Sequence, residues 1–196
     1  MGGLLTVLAP LSYLNDRVLR VGLGIGAVAV ALMVVSILIQ VFFRYVLNNA
    51  LPWPDEAARF SMLWMAGLMA PTAFRQGGFV AIDMLVLMLP RVLGGLINLT
   101  LLLISLVVLV VAVQIGWNEV TGFGGRFATA SLYLPTSFDF STWYRIPRSW
   151  MMTSLLVGVT LLTSVNIELI LRNIVKILGG DPRLAPIPPA DMGGAE

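Results

Sequence analysis

The residues whose types and spacing could do chemistry lie mostly between Gln40 and Phe60, in QVFFRYVLNNALPWPDEAARF. This stretch sets Gln40, Arg44, Asn48, Asn49, Asp55, Glu56 and Arg59 between two strongly apolar runs. Polar and charged groups are costly in or beside a bilayer, so their placement there implies a partner or a purpose. Ser36, Gln40 and Arg44 are four apart and fall along one slowly drifting helical stripe. Asp55 with Arg59 is an i,i+4 pair and Glu56 with Arg59 an i,i+3 pair, both available within a single helix. Two readings follow. One is a binding surface or charged pathway; the other is a self-satisfied interfacial cap, with Trp53 and Trp64 anchoring the helix near the headgroups.

Other candidates are sparser. Asp83 could ligate a cation or simply cap a turn at the interface. Glu168 and Arg172 have i,i+4 spacing, which explains both without further function. Gly22 and Gly26 form a GxxxG spacing that permits close helix approach, although with 19 glycines in the chain loose packing explains it equally well. No strand precedes these glycines, so they do not form a dinucleotide loop. Ser, Lys and Asp are not grouped in a nucleophile–base pattern, and no catalytic, cofactor or metal site is expected.

The elements that must position these residues are set by composition. The chain is 58% hydrophobic and 11% charged, with mean hydropathy +0.93. Soluble domains carry about 45–50% apolar and about 25% charged residues, so this is an integral membrane chain. A net charge of +2 and a pI near 9.4 suit contact with anionic headgroups and are too sparse for nucleic acid. With no cysteine there are no disulfides or thiolate sites, and with no histidine there are no His-ligated haems, HExxH zinc sites or His proton relays.

The apolar runs predict an all-α fold with four transmembrane helices over 22–43, 54–74, 92–117 and 149–171. The apolar segment 79–90 is too short to span and is predicted as an interfacial helix. Pro54 suits a first helical residue, with Asp55 and Glu56 in the first turn, where the helix dipole favours negative charge. The connection 118–148 is rich in Gly, Ser, Thr and aromatics and suits the interface. Residues 1–178 are expected as one membrane domain and 179–196, rich in Pro, as a disordered tail. An even number of spans puts both termini on one side. Arg17, Arg20, Arg75, Arg91, Arg172, Lys176 and Arg183 then flank the inner ends, against Arg44, Arg59, Arg126, Arg145 and Arg148 outside, which predicts cytoplasmic termini.

The segment FFRYVLNNALPWPDEAARFSMLW, followed by RQGGFVAID, resembles the small membrane subunit of TRAP transporters, the tripartite ATP-independent periplasmic transporters. The likeness rests on Arg44-Tyr45, Asn48, Leu51, Trp53, Asp55-Glu56, Arg59 and Trp64, with Gly77-Gly78 and Asp83 following. Two positions depart from the family pattern. Phe79 stands where a His is common, and the connection 118–148, with SFDFSTWYRIPRS, is longer than usual.

The resemblance implies a scaffold subunit of the bacterial inner membrane, paired with a large multi-span permease subunit that carries the substrate and sodium sites. A periplasmic substrate-binding protein delivers the solute, usually a small organic acid. On this reading Gln40, Arg44, Asn48, Trp53, Asp55, Glu56, Arg59, Trp64 and Asp83 serve structure or partner contact. Two rivals remain: a stand-alone carrier or channel, which would need polar stripes on several spans, and a membrane anchor for another complex. The third span offers only Asn98, Thr100, Ser105 and Gln114, and the fourth reads as similarly dry.

Overall fold

A computed structural model describes residues 2–77, 90–135, 143–178 and 187. Four helices dominate: α1 (Gly2–Tyr45), α2 (Trp53–Arg75), α3 (Arg91–Thr121) and α4 (Ser149–Ile177). Between α3 and α4, a 3-10 turn (Phe123–Arg126) leads into an antiparallel hairpin of β1 (Ala128–Pro135) and β2 (Trp143–Pro147). The protein is therefore mostly helical, and the hairpin corrects the all-α expectation. Its strands hold Thr129, Tyr133, Trp143, Tyr144 and Ile146, residue types that favour a pleated, half-buried surface. Tyr133 pairs with Arg145 and Ala128 with Pro147, with an irregularity between the two registers. The Thr129 hydroxyl donates to the Ile146 carbonyl at 2.7 Å, and the Arg148 N–H donates to the Phe127 carbonyl at 2.8 Å.

Among the described residues three helices are long and apolar enough to cross a membrane: Thr6–Tyr45, Leu93–Thr121 and Ser149–Ile177. α2 is not among them. Its 23 residues would reach across a hydrocarbon core of about 30 Å, but Asp55, Glu56, Arg59 and Arg75 dilute its apolar content. The predicted interfacial helix at 79–90 lies almost wholly outside the described residues, and with it Phe79 and Asp83; so does the tail from 179, apart from residue 187.

The first helix is longer than the predicted 22–43. It begins at Gly2 and runs for 44 residues without a break, through Pro10. The reason lies in one continuous buried face. Leu8, Ser12, Asn15, Leu19, Gly22, Gly26, Ala29, Met33, Ser36 and Gln40 alternate steps of four and three, and all are buried or half-buried. Such spacing keeps one stripe against its neighbours along a gently supercoiled pair. Arg17 and Arg20, predicted to precede the helix, stand inside it on its exposed side. α3 and α4 likewise outrun their predicted ends at 117 and 171, so Asn118 and Glu119 are helical rather than bounding.

α1 runs antiparallel to α2, and α4 packs on all three other helices. At the α1–α2 crossing, a Cβ on Gly22 would stand 3.3 Å from the Leu68 carbonyl and one on Gly26 2.8 Å from Met69 Cγ. The GxxxG spacing thus marks a close approach rather than loose packing. The α2–α4 crossing is tighter still. A Cβ on Gly158 would stand 2.7 Å from the Gly67 Cα, and one on Gly67 2.5 Å from the Ser154 carbonyl, so only glycine fits either position.

Candidate functional site at the two ends of the bundle

The polar junction of Gln40–Phe60 closes one end of the bundle. α1 ends at Tyr45, and the chain turns through Asn48, whose φ of 50° is left-handed and is tolerated by Asn better than by most residues. Trp53 opens α2, with Pro54 buried in its first turn and Asp55 and Glu56 beside it. Glu56 does not pair with Arg59. Its carboxylate accepts the N–H of Ala130 at 2.8 Å, the Ser131 hydroxyl at 2.6 Å and the Ser131 N–H, all from β1. The same hydroxyl lies 2.8 Å from the Pro52 carbonyl. Arg145 of β2 donates to the carbonyls of Thr129 and Ala130, which stiffens the strand that Glu56 holds. Glu56 is thus the clasp between α2 and the hairpin.

The other junction residues separate. Gln40, buried on α1, donates its amide to Asp55 at 3.3 Å and so ties α1 to α2. Its Oε1 and the Nε1 of Trp64 are buried without a hydrogen-bond partner among the described residues. Trp64 packs on Phe60, ring centroids 6.3 Å apart. Arg44 and Arg59 are exposed, and neither forms an ion pair among the described residues. Arg44 lies 5.9 Å above the ring of its neighbour Tyr45. The helical spacings made self-pairing possible; the fold instead gives Glu56 to backbone donors.

The opposite end holds a charge cluster that the sequence reading missed. Glu168 is fully buried on α4, and Arg75, the last residue of α2, is 5% exposed. Arg75 meets Glu168 through two bonds, Nε to Oε2 at 3.1 Å and Nη2 to Oε1 at 3.0 Å, a fork geometry that fixes both groups. Arg172 donates to Glu168 at 2.9 Å and Asn15 to Glu168 at 2.8 Å. Arg75 also pairs with Asp16 at 3.2 Å, and Asp16 with Arg20 at 3.0 Å. The Ser12 hydroxyl receives Arg75 at 3.2 Å and Arg172 at 2.9 Å, while Ser164 donates to Asn15 at 2.7 Å. Three helices are thereby tied at one level. The predicted Glu168–Arg172 pair forms, but it is one edge of a larger network.

A signal for this cluster did exist. Asn15 sits on the same stripe as Leu8, Leu19 and Gly22, where a polar residue must be satisfied from a neighbouring helix. Glu168 and Arg172 share the buried face of α4 with Ser154, Gly158, Val165 and Val175. Asn166, also fully buried, meets the Ser105 hydroxyl at 2.9 Å and links α4 to α3. The fourth helix is therefore not dry, although Asn166, Glu168 and Arg172 are enclosed.

These arrangements define a class: a helical membrane bundle whose buried polar groups bind its own helices together. Among the described residues no cluster of His, Cys, Asp or Glu is placed to hold a metal ion. Residues 33–176, more than half of the chain, match the profile of the DctQ component of tripartite ATP-independent periplasmic transporters. The chain belongs to that family, as a small membrane subunit of a TRAP transporter. Comparison with curated proteins and with solved structures returned no match.

Proposed function

We propose that this subunit is the fixed scaffold of a sodium-driven importer of a small organic acid. It pairs with a large permease subunit in the bacterial inner membrane and works with a periplasmic substrate-binding protein. In this reading α2 is the fourth crossing, carried by its neighbours rather than by its own hydropathy, and both termini lie in the cytoplasm. The observation that supports a scaffold is where the polar groups go. Arg75, Asp16, Glu168 and Arg172 are joined to one another, and Asn166 to Ser105, inside the bundle. Outward, α1 and α3 present Val28, Leu32, Val107 and Val108, an apolar surface that suits lipid or a partner's helices.

The test is reconstitution. The large subunit, purified with and without this chain, is placed in proteoliposomes with the binding protein, a sodium gradient and candidate acids. Uptake that needs both membrane subunits supports the proposal. Uptake by this chain alone would replace it with the stand-alone carrier. Arg44, Arg59 and the Glu56 clasp are the proposed partner-facing elements, so Glu56→Gln and Arg59→Ala should lower co-purification of the large subunit. Unchanged assembly and uptake in both variants would remove that assignment.

A further inference from the structure

The hairpin end of the bundle carries exposed aromatics on nearly every element that reaches it. Tyr45 of α1, Trp117 of α3, Phe123 of the 3-10 turn, Tyr144 of β2 and Trp150 of α4 are each roughly half to four-fifths exposed. At the opposite end, Tyr13 is the exposed aromatic among the described residues. Two of the carboxylates described at the hairpin end meet neutral donors: Asp55 the Gln40 amide, Glu56 the N–H groups of β1. Glu119, exposed near the end of α3, forms no ion pair among the described residues. Arg44, Arg59, Arg126 and Arg148 are therefore left without a carboxylate partner among the described residues, and all four are exposed. Two of them lie over aromatic rings: Arg44 at 5.9 Å from the Tyr45 centroid, Arg126 at 5.5 Å from that of Phe123. Arg145, whose donors go to β1 carbonyls, lies 5.7 Å from the Tyr133 centroid.

We propose that this end is a lipid-headgroup seat, in which the hairpin lies along the bilayer surface and Arg126 and Arg148 bind the phosphodiesters of anionic phospholipids. Amphipathic aromatics settle at the headgroup level, ring toward the chains and polar edge toward water. A guanidinium stacked on such a ring keeps its N–H edge free for a phosphate oxygen, which it fits as a fork. Arg126 and Arg148 themselves select the lipid: exposed guanidinium groups that meet no carboxylate among the described residues favour phosphatidylglycerol over phosphatidylcholine. The Glu56 clasp holds the hairpin to α2, so the seat moves with the bundle and not as a free loop. None of this depends on which solute the transporter carries.

The chain has no cysteine, so Tyr144→Cys creates a single labelling site. The full chain carrying a nitroxide there is reconstituted alone in nanodiscs of phosphatidylcholine mixed with phosphatidylglycerol, whose anionic headgroups attract basic residues at the surface. Collision with dissolved oxygen and with a water-soluble nickel chelate then reports depth. The expected position lies between the phosphates and the first acyl carbons. Native mass spectrometry of the unlabelled chain should show phosphatidylglycerol retained over phosphatidylcholine, with that preference falling on the order of fivefold for each of Arg126→Gln and Arg148→Gln. Both arginines are exposed, so the helical circular dichroism signal should be unchanged. A label exposed to nickel as fully as a water-borne site would overturn the seat. So would a lipid preference indifferent to the double variant, which would leave an aromatic belt without anionic recognition.

Discussion

The two ends of this bundle are both rich in arginine, yet they use carboxylates in opposite ways. Where α1 overhangs α2, Asp16 and Glu168 each face Arg75 of α2 and an arginine of their own helix, and all are drawn into one network. At the hairpin end, Glu56 faces the N–H groups of β1, and the arginines nearby go without carboxylate partners among the described residues. The difference follows from burial. Glu168 has no access to water, and a carboxylate so enclosed must be met by full charge and several donors. Glu56 is only half-buried and sits at the start of α2, where strand amides suffice. One end is thus a lock and the other a surface.

The sharpest way to break that contrast is at Glu168. Glu168→Ala leaves Arg75 and Arg172 enclosed without their shared counter-charge and should destabilise the bundle by about 3–5 kcal/mol. Denaturant titration of the purified chain in detergent, followed by tryptophan fluorescence, measures it. Replacing the group together, as Arg75→Met, Glu168→Leu and Arg172→Met, should recover most of the loss, because no isolated charge then remains. A triple variant as weak as the single one would mean that the network does more than satisfy its own members. Next in size is Gly158→Leu, between the two ends. The added side chain has no room against the Gly67 backbone. It should cost about 3 kcal/mol, at the upper end of overpacking effects, and should loosen both ends alike.

How far the sequence reached differs between the same two ends. The helices and the break between 43 and 54 were legible, since apolar length and a dense polar junction are local signals. The partner of Glu56 was not, because Ala130 and Ser131 lie in a segment whose strand character only pairing reveals. The Arg75–Glu168–Arg172–Asp16 lock was missed for a related reason. Each member has an adequate local explanation: Arg75 ends a helix, Glu168 and Arg172 are i,i+4, and Arg20 and Asp16 are i,i+4. Only the convergence of α1, α2 and α4 makes them one object. The apolar length of α1 hid its true start, since Arg17 and Arg20 read as flanks when the buried stripe is not followed down to Leu8.

A smaller effect separates the clasp from the lock. Glu56→Ala removes the acceptor for two backbone N–H groups and a hydroxyl, which should cost about 1–3 kcal/mol. That loss should stay local. Hydrogen exchange at 128–135 should quicken, while the unfolding midpoint of the helices moves little. If Glu56→Ala instead lowers global stability as far as Glu168→Ala, the hairpin is part of the core and the two ends are equivalent.

The smallest expected change tests the surface itself. Arg59 is exposed on α2 and has no carboxylate partner among the described residues, whereas Arg75, on the same helix, is enclosed by Asp16, Ser12 and Glu168. Arg59→Ala should therefore leave the stability of the isolated chain within about 0.5 kcal/mol, as surface substitutions do. Arg75→Ala should approach the loss seen for Glu168→Ala. The informative measurement compares the isolated chain with its complex. If Arg59 faces the large subunit, Arg59→Ala lowers recovery of that subunit in a pull-down although the chain alone is unaffected, whereas Arg75→Ala lowers recovery only in proportion to unfolded chain. An Arg59→Ala chain that loses stability on its own would place Arg59 within the bundle's internal bonding, and the division between lock and surface would then have to be redrawn along α2.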